Sequence, residues 1–437
     1  MFPVPTLRLV VAAVVGSAVV LALPFHGPLA LLVVDGVLGV VAVIDAVLAP
    51  DPARVGVERE LPGALTLGAG GGEVRWRVRN PVGRRLDVAI ADELAPSLQA
   101  SSRRFGLRLP ASATVTARTH VDPLRRGRFE PRELVVRVDG PLGLASRQRR
   151  RALPGVMRVL PPFRSRKEAE LRIDRAQMLE VGIRSAQGRG GGTEFDALRE
   201  YSVDDELRRM DWAATARSDK AIVRTYRAER NQQVLVLLDN GRVMAGQVDG
   251  VPRVEHGMDA AMMLTAVATR LGDRCGLVTF DRSVRAVVPP ANGKAQLQRV
   301  TEAMYDLEPQ LVESDYQGAF ATTLARFRRR ALLVLVTELA EEAMAETLVP
   351  ALPLLLSRHL VIVASVADPD VGRWASTAPG DGPTAYRTAA AVGALERRAR
   401  TAARLRGLGA TVVDAPPGRL SPRLADAYLA VKASGRL

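Results

Sequence analysis

The chain has one cysteine, Cys275, in 437 residues, so no intrachain disulfide can form and thiol-pair chemistry is excluded. Histidine is nearly as scarce, with only His26, His120, His256 and His359 scattered along the chain. No CxxC, HExxH or GxxxxGK(S/T) occurs, which leaves zinc chemistry without its usual ligand spacing. Aromatic residues make up 4% of the chain, too few to form a stacking platform for nucleic acid. The formal charge of +14, from 61 Lys and Arg against 47 Asp and Glu, favours anionic partners but does not name one.

What is present is organised in blocks. Near the start lie two apolar segments, LRLVVAAVVGSAVVLAL (7–23) and LALLVVDGVLGVVAVIDAVLA (29–49), joined by PFHGP. Each is long enough to cross a hydrocarbon layer, which takes about 17 to 20 residues. A second apolar run so soon after the first argues for a helical hairpin rather than a cleaved signal. Arg8 precedes the pair and Arg54 and Arg59 follow it, while PFHGP has no Lys or Arg. The positive-inside bias therefore places both termini and the soluble domains in the cytoplasm, with the cell membrane crossed twice. Asp35 and Asp45 fall in the second segment. An intramembrane carboxylate is costly and is a functional suspect, whereas Asp45, near the exit, can reach the interface.

From 51 to 160 the pattern has period two. In EVRWRVRN (73–80), Val74, Trp76 and Val78 alternate with Arg75, Arg77 and Arg79, as a half-exposed strand requires. LDVAIAD, ATVTARTHVD and ELVVRVDG repeat it between Gly and Pro turns, so a small β-sandwich is expected. The arginine runs at 103–104, 125–128 and 147–151 read as a solvated face, or as one drawn to an anionic leaflet.

After 230 the strands become continuous apolar runs: VLVLL (234–238), CGLVTF (275–280), ALLVLVT (331–337), HLVIVASV (359–366) and ATVVDA (410–415). Amphipathic spacing appears between them, at Leu297, Val300, Met304 and Leu307, and at Phe320, Leu324 and Phe327. This predicts a doubly wound α/β domain over 231–437 with SVRAVVP (283–289) as an antiparallel edge strand. Polar residues at the carboxyl ends of its strands, Asp239, Thr337 and Glu338, then face the ligand crevice.

The segment 161–230 bridges these parts and holds GRGGGTEFDALREYSVDDELRRMDWAATAR (188–217). Its mixture of acids and arginines predicts a pairing network. The stretch resembles the domain-of-unknown-function 58 family, whose hallmark is approximately GxGxEFxxLReYxxGDDxRxIDWxAxAR. The matching residues are Gly190, Gly192, Glu194, Phe195, Leu198, Arg199, Glu200, Tyr201, Asp205, Arg208, Asp211, Trp212, Ala214, Ala216 and Arg217, with Asp204 in place of the hallmark glycine. RRGRFE (125–130) and GPLGLA (140–145) look like two further elements of that family. The resemblance implies a membrane hairpin over 1–50, a β-rich domain over 51–160, and a C-terminal domain similar to von Willebrand factor type A. It also implies partnership with a MoxR-type AAA+ ATPase in assembling or maturing other proteins, and it supplies no reaction.

Metal-binding domains of that fold place DxSxS after the first strand. Here the positions are Asp239, Gly241 and Val243, so both hydroxyls are missing. Asp315, Thr337 and Glu338 are the remaining oxygen donors, and a degenerate site of this kind holds Mg²⁺ only weakly, with several waters. The alternative is that Asp239 caps the following turn or pairs with an arginine such as Arg242. The expectation is therefore a bilayer-anchored, non-catalytic interaction module without a cofactor. Two rival readings are a metal-dependent hydrolase using Asp204, Asp205, Glu206, Asp211, Asp239 and Glu338, and a nucleic-acid binder working on charge alone.

Overall fold

The computed structural model describes residues 3–22, 28–186, 194–202, 207, 210–227, 231–340 and 344–435. They form two compact units, Met1–Pro162 and Phe163–Leu437.

The first unit begins with a short strand, β1 (Pro3–Pro5), and two apolar helices, α1 (Leu7–Ala22) and α2 (Pro28–Leu48). Both turn their large side chains outward, with Leu7, Val14 and Leu21 on α1 and Leu32, Val43 and Val47 on α2 all exposed. Residues Leu29–Leu48 are long and apolar enough to cross a membrane; α1 is apolar but shorter. Gly16 lets the two helices approach, since a Cβ there would lie 3.1 Å from Val34 Cγ1.

Among the described residues, eleven strands belong to this unit. One sheet runs β1, β10 (Ala145–Ala152), β9 (Glu133–Asp139), β5 (Leu86–Asp92), β6 (Arg104–Leu109). A second runs β2 (Gly56–Glu60), β4 (Gly72–Arg79), β7 (Thr114–Val121), and a third β3 (Ala64–Thr66), β11 (Met157–Leu160), β8 (Gly127–Phe129). Val74, Trp76 and Val78 of β4 are buried with Val88 and Ile90 of β5 and Val136 and Val138 of β9 in one core, as the period-two reading required. The polar edge of the Trp76 ring is not wasted on apolar surroundings. Its Nε1 donates to Asp92 at 2.6 Å, and Asp92 also pairs with Arg59 at 2.6 Å, which satisfies a buried carboxylate from two sides.

Asp45 departs from expectation. It does not reach outward to the interface but is fully buried. Its carboxylate accepts three backbone N–H groups of the 140–145 loop, Leu142 at 2.7 Å, Leu144 at 2.8 Å and Ala145 at 2.9 Å. That explains an acid at the end of an apolar helix, since three amide donors replace its lost hydration. Arginines on β10 then follow the chain leaving α2. Arg147 donates to the Ala49 carbonyl at 3.1 Å, Arg149 lies 4.0 Å from Asp51, and Arg151 donates to the Val55 carbonyl at 2.5 Å. Alternate positions on one strand thus grip successive points of the linker, so this arginine run is not simply a solvated face.

The second unit opens with α3 (Arg166–Ala186), then a two-stranded pair, β12 (Glu194–Glu200) with β13 (Ile222–Arg227), and α4 (Trp212–Ser218) between them. Its main sheet has the order β18 (Val284–Ala291), β17 (Arg274–Phe280), β14 (Gln233–Asp239), β19 (Leu332–Val336), β20 (Leu360–Val366), β21 (Thr411–Ala415). Every neighbouring pair is parallel except β17 with β18, so the antiparallel edge strand stands where the sequence put it. After β14 come α5 (Arg242–Ala245), the small hairpin β15 (Gln247–Val248) and β16 (Val251–Pro252), then α6 (Arg253–Arg270), α7 (Ala295–Met304) and α8 (Tyr316–Arg326). Val234, Val236 and Leu238 pack in one core with Met258 and Met262 of α6 and Val300 of α7. Leu235 and Leu237 pack in another with Phe320 of α8 and Leu352. A strand buried on both faces reads as a continuous apolar run for this reason.

Candidate functional site

β14 is the central strand at which the sheet order reverses, and its carboxyl end is the place where doubly wound sheets bind ligands. Asp239 ends that strand, fully buried. Oδ1 accepts the Gly241 amide at 2.8 Å and the Ser314 hydroxyl at 2.5 Å; Oδ2 accepts the Tyr316 hydroxyl and the Thr337 hydroxyl, each at 2.7 Å. The strand breaks after Asp239 because Gly241 must pass close to the loop before α8. A Cβ at 241 would lie 2.1 Å from Ser314 Oγ. Asn240 completes the turn, its Nδ2 donating to the Glu308 carbonyl at 2.8 Å.

Four donors on one carboxylate replace the hydration that burial removes. Tyr316 is itself buried, and burial together with the neighbouring Asp239 charge pushes its hydroxyl well above the ordinary tyrosine range. It therefore stays a donor at any physiological pH. Tyr316 and Thr337 also lie 2.9 Å apart, so the three side chains close on one another.

The other proposed oxygen donors are engaged elsewhere. Asp315 caps α8, its carboxylate accepting the Gly318 amide at 2.9 Å. Glu338 is held by arginines: Arg398 donates to it, Arg253 lies 3.3 Å away, and Ser365 donates at 3.1 Å. Arg398 also clasps Asp414 with two bonds of 2.7 Å. Neighbours in extended chain point to opposite sides, which is why Thr337 joins Asp239 while Glu338 joins Arg398. These residues do not fit Mg²⁺ as a set, because Asp315 and Glu338 are held by other groups and only Asp239 and Thr337 of the four proposed oxygen donors meet. Among the described residues, no group of three or more His, Cys, Asp and Glu is placed to hold a metal ion. Asp239 does cap its turn, as one reading had it, and among the described residues no arginine joins it; Arg242 pairs with Glu313 at 2.9 Å.

Beside the sealed carboxylate a cleft opens to solvent, lined by Arg242, Val243, Glu313, Ser314, Tyr316, Glu346 and Thr347. Ser314 and Tyr316 were missed by sequence reasoning. Both flank Asp315 in VESDYQGAF, and the helix-capping pattern there was the available signal.

The bridge residues are partly brought together. Asp211 caps α4 through the Ala214 amide at 3.0 Å and pairs with Arg224 at 2.9 Å. Those two contacts hold its carboxyl below the ordinary range. Glu200 pairs with Lys220 at 2.5 Å, Arg199 donates to the Glu200 carbonyl at 3.1 Å, and Arg217 donates to the Ala213 carbonyl at 3.0 Å. The Tyr201 amide bonds the Ala221 carbonyl at 2.8 Å. Trp212 is 69% exposed, with Leu198 at 46% and Leu207 at 66%. Glu194 and Phe195 stand in register with Arg227 and Tyr226 on β13. Asp204, Asp205, Glu206 and Arg208 lie outside the described residues.

Residues 197–393 match the family model "Protein of unknown function DUF58". The resemblance read from the bridge motif is borne out over this stretch, and the DUF58 region runs from the β12 and β13 pair through the central sheet strands. Uncharacterised proteins of Mycobacterium tuberculosis and Mycobacterium bovis are 26% identical over 182 residues, or 41% of this chain. The chain spans 56% of the length of each. Among solved structures, BatB from Bacteroides thetaiotaomicron is similar with a TM-score of 0.32 and 13% identity, over 47% of this chain and all of that one. The SpRpn10 VWA domain is similar with a TM-score of 0.28 and 14% identity, over 45% of this chain and 95% of that one. The doubly wound reading of the DUF58 region stands on its own strand pairings.

Proposed function

We propose that this protein is a membrane-anchored interaction module without catalytic activity. In this reading α1 and α2 form a two-pass hairpin in the cell membrane, the β-rich part is a small sandwich, and both soluble parts are cytoplasmic. The carboxyl end of the main sheet and the bridge motif form the docking surface. Its partner is a MoxR-type AAA+ ATPase acting in protein assembly or maturation.

One observation carries the reading. The carboxylate at the carboxyl end of the sheet is saturated by four protein donors, while the cleft beside it keeps a charged rim that includes Arg242 and Glu313. Such a site can recognise a polypeptide through rim charge and shape, while its buried carboxylate is engaged by protein donors rather than turned toward a ligand. The exposed Trp212 is the kind of aromatic anchor on which protein interfaces concentrate their energy.

Photo-crosslinking from positions 212 and 242 in native membranes tests it, with pull-downs of wild type, Trp212→Ala and Arg242→Glu. An AAA+ ATPase should be captured from both positions and its recovery should fall in both variants. Equal recovery from all three proteins would remove this surface as the docking site.

A further inference from the structure

The foot of the helix pair in the first unit carries a second surface, and we infer that it recognises the headgroups of anionic phospholipids. This rests on the membrane reading above and goes beyond it in naming a lipid class and the residues that select it.

Three features meet at one level of the molecule. Asp45 is buried within protein and tied to the 140–145 loop by three amide bonds, so the base of α2 is fixed to the β-rich part rather than hinged on it. Arg8, exposed in the first turn of α1, lies against the same loop, where a Cβ on Gly143 would come within 2.7 Å of its Nη1. Arg84, also exposed, donates from Nη2 to the Leu48 carbonyl at 2.6 Å, at the last residue of α2. Two exposed guanidinium groups therefore lie at the foot of the helix pair, Arg8 against the loop and Arg84 on a free carbonyl at the end of α2.

Between them the loop presents Leu142, 57% exposed although its amide is held by Asp45. Beyond this level α1 and α2 expose apolar side chains, including Val11, Val14, Val40 and Ile44. The order along the helix axis is apolar flank, then arginine and one leucine, then a folded polar domain. That is the order of a leaflet met from within: acyl chains, phosphate, water. A guanidinium fork binds a phosphodiester with two parallel bonds, and basic side chains near an anionic surface are drawn to it. The fixed joint matters here because a hinged helix would let both arginines leave the phosphate plane.

The test uses the full chain reconstituted into nanodiscs of phosphatidylcholine alone, or of phosphatidylcholine with phosphatidylglycerol, with thermal unfolding as the readout. Wild type should unfold at a higher temperature with phosphatidylglycerol. The Arg8→Gln/Arg84→Gln variant should lose about half or more of that shift. Arg103→Gln/Arg104→Gln should keep it, since those arginines lie at the opposite end of the β5 and β6 pair from Arg84. Equal unfolding temperatures in the two lipids, or an undiminished shift in the first variant, would overturn the proposal. So would the same shift produced by inorganic phosphate in phosphatidylcholine discs. A chain that enters neither disc would instead remove the membrane reading on which the proposal stands.

Discussion

The hydroxyl of Tyr316 lies 2.7 Å from Oδ2 of Asp239, and both side chains are buried. This bond, with those from Thr337, Ser314 and the Gly241 amide, turns a potential cation crevice into a closed polar knot. Tyr316→Phe should cost about 1–3 kcal/mol, because a buried carboxylate loses one donor. Asp239→Ala should cost more, about 3 kcal/mol or above, since several buried donors lose their acceptor at once. Urea unfolding of the full chain measures both. Added Mg²⁺ should leave the wild-type and Tyr316→Phe midpoints unchanged; a midpoint that rises with Mg²⁺ would mean that the knot opens to a cation.

The sheet was legible because its strands are buried on both faces. VLVLL, CGLVTF and HLVIVASV announce themselves as unbroken apolar runs, and SVRAVVP follows too closely behind CGLVTF to be anything but antiparallel. The period-two pattern of Val74, Trp76 and Val78 was equally direct. Two partners of Asp239, Ser314 and Tyr316, were not legible. Their hydroxyls come from a loop 75 and 77 residues away in sequence, and nothing local distinguishes a tyrosine that seals a site from one that packs in a core. Asp45 was misread for the same reason, since its partners are backbone amides nearly 100 residues on, and amides carry no sequence signature. Glu338 was placed at the right strand end but on the wrong side of it.

Asp45 gives a second expectation. Asp45→Ala removes the acceptor for three backbone N–H groups, and Asp45→Asn keeps only part of it. The alanine variant should free residues 140–145 while leaving the main sheet of the second unit intact. Hydrogen exchange reads this directly: protection of the Leu142, Leu144 and Ala145 amides should fall by about tenfold or more in Asp45→Ala, corresponding to about 1.4 kcal/mol or more of lost local stability. Unchanged protection at these amides would show that the loop is held by its own packing.

Cys275 should be silent to thiol reagents in the folded protein. It is fully buried on β17, and burial pushes its thiol up to about 12, far from the range in which a thiolate attacks. With a disulfide-exchange reagent at pH 8, labelling should follow the unfolding rate and become fast only in denaturant. Rapid stoichiometric labelling without denaturant would contradict the packing of α6 on this strand.

His359 supplies the last expectation, and its sign follows from its partner. The ring is buried, and its Nδ1 accepts the Ala331 amide at 3.2 Å, which only the neutral imidazole can do. Burial, with the positive charges of Arg358 and Arg330, lowers its proton affinity below the usual histidine value of 6.5. Burial lowers that of His256 as well. In the unfolded chain both rings take up protons near the usual value, so between there and their lower folded values the unfolded state binds more protons. Stability should therefore be level above about pH 7 and fall as the pH drops through 6.5 toward 5, by at most about 1.4 kcal/mol per pH unit for each ring. His359→Gln should flatten part of that slope. Denaturant midpoints at pH 7.5, 6 and 5 decide the matter: a wild-type midpoint that stays constant or rises on acidification would mean that His359 is protonated in the fold and that the Ala331 amide bonds elsewhere.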